Sequence, residues 1–232
     1  MKARFTELGL KKRVSTLQKA IKKAESNVDN LHVKLQKGNR KTGPNCWTIS
    51  LMPVIDCANC SHCMHECYDL KSDMIFTQVI EDRARNSVIH KADRARYWKE
   101  IDEQVKANFV TELRINVGGD LDYEDFEYVA RIGKDNPRTM ILFFTKNYAG
   151  INAFLNRKEF PNNVRPIMST WNGLKMDNPH HLPQSHVLYS DGKTTAPDYG
   201  AYYCSGNCSE CAFKGEGCWT LKQNEHVIFK AH

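Results

Sequence analysis

The chain has 232 residues, 41% hydrophobic and 26% charged, a balance that excludes wholesale disorder and suffices for one sizeable core. Its formal charge of +6 is uneven: residues 1–41 carry twelve Lys or Arg against three Asp or Glu, and residues 42–232 carry 21 against 24. The densest apolar stretch, MILFF at 140–144, is too short to span a bilayer, and no apolar run follows the basic N-terminus; the expectation is a cytoplasmic protein with no membrane partner.

Residues 10–26 place Leu10, Val14, Leu17 and Ile21 on one face at helical spacing, ringed by Lys11, Lys12, Arg13, Lys19, Lys22 and Lys23. The pattern predicts an amphipathic basic helix in an N-terminal arm, residues 1–41, ahead of a single α/β domain over residues 42–232. A cationic helix neutralises phosphates, which makes nucleic acid a candidate partner; the other reading is a solvated helix packed by its apolar stripe.

NCWTISLMP, 45–53, reads as a first strand that runs directly into a cysteine-rich loop. Helices are expected near 75–91 and 94–107, then LRINVGGD as a second strand, a helix near 123–134, TMILFFTKN as a third strand and a helix near 149–157. VRPIMSTW, HVLYSDG and HVIFK at 226–230 supply three further strands. Strands alternating with helices predict parallel βαβ units, whose chemistry gathers at the C-terminal strand ends.

In a reducing compartment nine cysteines point to metal or redox use rather than disulfides. Cys46 stands apart; Cys57, Cys60, Cys63 and Cys67 form one group, Cys204, Cys208, Cys211 and Cys218 another, with 136 cysteine-free residues between. The first group, in DCANCSHCMHECYD, has the C-x2-C-x2-C-x3-C spacing that wraps 4Fe-4S clusters, with zinc as the structural alternative. Tyr68 follows the fourth cysteine where ferredoxins carry proline, so Cys67 departs most from the pattern. His62 and His65 are either substitute ligands or solvated loop residues. The second group, YCSGNCSECAFKGEGCW, offers four thiolates in a Gly-rich loop for an auxiliary or structural cluster or for zinc.

Other strand ends carry polar residues: Gly118, Gly119 and Asp120; Thr145, Lys146 and Asn147; Ser169, Thr170 and Trp171. Taken singly these are ordinary turn residues; in register with a cluster loop they compose a site. Asn116, Gly118 and Gly119 are candidates for cofactor binding, the glycines by letting a ligand approach bare backbone, and Asp120, Lys146 and Ser169 for orienting the reacting molecule.

A cysteine loop after the first strand and a Gly-Gly-acid turn after the second resemble a radical S-adenosylmethionine (SAM) partial barrel. There a Gly-Gly-Glu turn contacts the SAM amino group, and NVGGDLDYEDF is similar to it with Asp120 in place of Glu. The first three cysteines of the second group share the C-x3-C-x2-C spacing of that signature, although they lie near the C-terminus and Glu210 stands where an aromatic is usual. CMHECYD, RARNSVIHKAD, LRINVGGDLDYEDF and ILFFTKN together resemble the phage gene product 88 family. These resemblances imply a partial or small TIM-like barrel with one or two 4Fe-4S clusters, SAM as a further cofactor, an electron donor as partner, and redox or radical chemistry at the barrel rim. The alternative is a non-enzymatic cluster or zinc protein that grips nucleic acid through its basic helix.

Overall fold

The computed structural model describes residues 5–39, 42–70, 76–189, 191–197 and 199–231; Lys2, Arg4, Arg40 and Lys41 of the basic arm, and the start of the helix expected from residue 75, lie outside them. Seven strands, β1 (Cys46–Ile49), β2 (Glu112–Ile115), β3 (Met140–Thr145), β4 (Val164–Ser169), β5 (Gln184–Leu188), β6 (Ala201–Tyr203) and β7 (His226–Lys230), form one sheet in the order β1-β2-β3-β4-β5-β7-β6. Every neighbouring pair is parallel. The helices are α1 (Glu7–Glu25), the single turn α2 (Cys60–Cys63), α3 (Thr77–Ala92), α4 (Arg94–Ala107), α5 (Tyr123–Asp135), α6 (Tyr148–Leu155) and α7 (Cys208–Lys214).

Of the expected partial or small TIM-like barrel, the structure shows the parallel α/β organisation with a sheet that does not close. The outer edge of β1 is taken instead by the segment after α1: Gln36 and Thr48 exchange backbone hydrogen bonds at 2.8 and 2.7 Å in an antiparallel bridge. That segment is fixed from the other side by Asn86, which accepts from the Lys34 N–H at 2.8 Å, and by Glu100, which accepts from the Val33 N–H at 2.7 Å. The edge is thereby capped rather than left as a pairing template.

Strands that follow one another across a sheet through right-handed crossovers send all their helices to the same face. Here α3 to α6 cover the face presented by Ile49, Leu113, Ile115, Ile141, Phe143, Val164 and Met168, burying Trp98, Ile101, Phe126, Val129, Ile151 and Phe154 against them. Alternation turns the residues between these to the opposite face. There Cys46, Leu142 and Ile167 pack with Phe144, Tyr202, Cys208, Cys211 and Trp219, so α7 and its flanking loop serve as the cover on that side.

Local signals set the helix ends. Thr6 caps α1 by accepting from the Gly9 N–H at 3.1 Å, Asn207 caps α7 by accepting from the Glu210 N–H at 3.1 Å, and α7 stops at Gly215 in the left-handed conformation, φ +64°. α1 lies against α3, with Leu10 and Leu17 buried in a small core that also holds Met52, Leu70, Ile80 and Ala84. The same core touches Met64 and Cys67, and the Phe5 N–H donates to the His65 carbonyl at 3.0 Å. The helix thus packs directly onto the first cysteine loop.

Candidate functional site

On the face opposite α3 to α6 lies a cavity of about 890 Å³, walled by the first cysteine loop on one side and the second on the other. Cys57, Cys60, Cys63, Cys67, Cys204, Cys208, Cys211 and Cys218 all line it, as do Asn116, Gly118, Gly119, Asp120, Lys146 and Ser169. All fourteen candidate site residues meet here.

The first loop is held in a strained form. Val54 adopts φ +69°, costly for a β-branched residue, and its N–H points at the Cys57 Sγ, 3.3 Å away. One helical turn then carries Cys60 and Cys63. Burial raises the Cys57 and Cys63 thiols and pushes Cys67 up to about 11, the Asp69 carboxylate adding to the last. The Lys146 ammonium pulls the other way on Cys63. Of the two histidines, His62 is exposed, and His65 pairs with Glu7 at 3.2 Å and ties the loop to α1; neither lines the cavity.

The second loop surrounds a cation. Arg114, on the inner face of β2, lies over the Phe144 ring at 5.1 Å and reaches the Cys208 Sγ at 3.7 Å, and its charge acts on Cys204 and Cys218 as well as on Tyr68. The guanidinium therefore contacts the second cysteine loop and acts by its charge on Tyr68 at the end of the first. Cys46, fully buried on β1, packs with Cys208 and Cys211; its thiol is raised by a hydrogen bond with Cys208 and then by burial. Ser209 clamps this seam, its Oγ accepting from the Asn45 and Cys46 N–H groups at 3.1 and 3.0 Å. Among the described residues no group of three or more His, Cys, Asp or Glu side chains is arranged to hold a metal ion. The thiols fit a thiolate-ligated cluster in number and chemistry, each presented on a cavity wall.

The turn after β2, which lines the cavity, also packs closely on the protein itself. A Cβ on Gly118 would sit 2.0 Å from the Asp69 Oδ2, and one on Gly119, φ +81°, 2.7 Å from the Leu51 Cβ. Both glycines are required by the protein's packing on itself, Gly118 against the buried Asp69–Arg83 ion pair, 2.6 Å. Asp120 is a brace: its carboxylate accepts from the Thr145 hydroxyl at 2.7 Å and from the Lys146 and Leu121 N–H groups at 2.9 and 2.8 Å, joining the ends of β2 and β3. Burial raises its carboxyl while those bonds hold it down. The Lys146 ammonium lies over the Trp171 ring at 5.6 Å, and Ser169 accepts from the Ser185 hydroxyl at 3.2 Å.

Asn116 stands out. It is 5% exposed, sits in the left-handed region at φ +51°, and neither polar atom of its carboxamide has a hydrogen-bond partner among the described residues. At the far rim, His186 stacks its ring nitrogens between Thr195, 2.9 Å from Nδ1, and the Nδ1 of buried His226, 3.1 Å from Nε2.

The family model described as Gene product 88 matches residues 13–223. The chain belongs to the gene product 88 family. No curated protein and no solved structure matches it. The match runs from within α1 to beyond the last cysteine, so both cysteine loops and Asn116, Gly118, Gly119, Asp120, Lys146 and Ser169 fall inside the family's span.

Sequence reasoning missed Arg114, Tyr68, Tyr202 and His186, which also line the cavity. The alternation E-L-R-I-N from Glu112 carries the signal for Arg114, since it sets Glu112, Arg114 and Asn116 on one face. Nothing local marks the others, which are positioned by chain segments remote in sequence.

Two outcomes are expected. Asp120→Asn leaves one backbone N–H facing an amide donor in either orientation of the new side chain, and should lower stability by about 1–3 kcal/mol, read by thermal or urea unfolding; an unchanged melting temperature would return Asp120 to the role of a ligand-holding acid. Burial and then His226 lower His186 to about 4, against about 6.5 in the unfolded chain. Between those values the unfolded chain binds a proton that the folded one refuses, so stability is complete above about pH 6.5 and falls as pH drops toward 4. His186→Gln should flatten that slope in urea titrations at pH 7.5, 6 and 5.

Proposed function

We propose that the protein carries out redox or radical chemistry at an iron–sulfur cluster held by Cys57, Cys60 and Cys63, with Cys67 as a fourth thiolate, on a ligand bound in the cavity. The carrying observation is that two cysteine groups 136 residues apart in sequence line one cavity together with the polar strand ends. Cys204, Cys208, Cys211 and Cys218 would hold an auxiliary cluster or zinc. A cluster on these thiolates supplies one-electron chemistry. The sequential parallel strands and the cysteine loop after β1 resemble the partial barrel of radical SAM enzymes, and SAM is the ligand that likeness suggests.

The chain's own contributions follow from geometry. Asp120 and Thr145 fix the strand ends that carry Asn116 and Lys146, Lys146 supplies a cation beside Cys63, and Tyr68, Phe144, Trp171 and Phe229 make aromatic walls. A soluble electron donor is the partner this chemistry requires.

A second reading rests on α1. Lys11, Lys12, Lys19, Lys22 and Lys23 are exposed, and Lys23 pairs with Glu81 at 3.5 Å. This face suits a polyanion such as nucleic acid, bound by phosphate neutralisation.

Anaerobically purified protein should be brown and contain iron and acid-labile sulfide, and its reduced EPR signal should change on adding SAM. Ser in place of Cys57, Cys60 or Cys63 should remove one cluster, while Ser in place of Cys204, Cys208 or Cys211 leaves that signal. Stoichiometric zinc without sulfide would defeat this reading. For the second reading, replacing Lys11, Lys12, Lys19 and Lys22 by Glu leaves the Leu10–Leu17 seam intact, unlike truncation. Binding to single-stranded DNA should vanish in that variant and weaken steeply with salt in the parent; salt-independent binding rejects it.

A further inference from the structure

The amide of Asn116 poses a specific problem. A buried carboxamide without partners costs about 1–3 kcal/mol in protein mutational series, and the backbone gives it no freedom to escape. Its N–H is committed to the Ile49 carbonyl at 2.9 Å, and its left-handed φ of +51° fixes the direction of the side chain. Asn116 is among the residues that line the cavity, with its amide tucked just behind the wall. Strain together with an unpartnered buried polar group, both at one cavity-facing residue, marks a binding position.

The surroundings state what would bind there. A carboxamide presents one donor and one acceptor side by side in a plane, and its complement is a planar edge with the same pair reversed. By register Ile115 lies beside Phe143, so the next position sets Asn116 beside Phe144 on the inner face. Phe144 carries the Arg114 guanidinium, whose Nε also lacks a partner among the described residues. Tyr68, Trp171, Tyr202 and Phe229 add aromatic wall, and about 890 Å³ is in the range for a ligand of nucleotide size. A flat heteroaromatic ring with a hydrogen-bonding edge matches every one of these features. A simple carboxylate or sugar leaves the aromatic surface unused.

We propose that the cavity takes a ligand bearing a nucleobase, read by Asn116 through a paired donor–acceptor edge. This rests on the cavity being the ligand site of the function proposed above, and it goes further by naming the ligand's recognised group and the residue that recognises it. The group is carried either by a small molecule or by a nucleotide of a strand.

The test is calorimetric titration of anaerobically purified full-length protein with adenosine, guanosine, cytidine and uridine, with ribose as the base-free control and a six-nucleotide DNA strand as the second source. At least one free nucleoside should bind tenfold or more tighter than ribose. Asn116→Gly, which is at ease at positive φ and has no amide, should lose about tenfold or more of that affinity. Asn116→Asp, which keeps shape and backbone but has no donor, should do the same; if either variant melts well below the parent, the other decides. Binding of the strand alone, lost in both variants, keeps the inference and assigns the base to nucleic acid. No advantage of any nucleoside or strand over ribose, or undiminished binding in both folded variants, overturns it. Iron and sulfide are measured in the same sample: base binding without iron removes the cluster reading alone, and iron without base binding removes this inference alone.

Discussion

A parallel sheet whose strands lie in chain order has only one face that its crossover helices can reach. Everything distinctive about this protein follows from the need to cover the other. With α3 to α6 committed to one side, the inner residues Cys46, Leu142 and Ile167 are left to be buried by the second cysteine-rich segment, and the first faces it across the cavity. Loops are poor cover for a sheet because their backbone groups need partners. The molecule resolves this with side chains that bond to backbone, Ser209 on Asn45 and Cys46, and Asp120 on Leu121 and Lys146. What remains between the loops is the cavity.

Rigidity around that cavity is concentrated in buried polar contacts. The Asp69–Arg83 pair occupies the space a side chain on Gly118 would need, so one ion pair determines the residue type at the neighbouring strand end. Removing one partner of such a pair leaves an uncompensated charge, a loss of about 3–5 kcal/mol, and would release the Gly-Gly turn at the same time. Phe126, Phe143, Phe154 and Phe160 form a ring cluster on the helical side that gives the sheet a stiff backing.

Much of this was legible in the sequence because periodicity and strand-end chemistry are local. Leu10, Val14, Leu17 and Ile21 mark α1, and the apolar runs mark the strands that carry Asn116, Asp120, Lys146 and Ser169. How the sheet ends was not legible, since that depends on the edges: Gln36 pairs with Thr48 across a segment without strand-like alternation, and β6 is three residues long. The packing that Gly118 and Gly119 allow was not legible either. A Gly-Gly-acid turn looks the same in sequence whatever lies against it, and Asp69 and Leu51, which pack there, lie some fifty to seventy positions upstream. Cys46 had no local pattern at all.

The Cys46 N–H and the Ser209 hydroxyl that accepts it are 163 positions apart. On a chain emerging from the ribosome, β1 is finished long before the partner that seals its start, which follows 163 residues later. Until then the inner face of β1 to β4 stays wet and its thiol exposed. Loop-closure entropy grows slowly with length, so the late seam is thermodynamically cheap to make; the delay is one of timing. The two cysteine walls therefore mature in sequence, the first once the residues from α1 to Cys67 have emerged, the second only after Cys218.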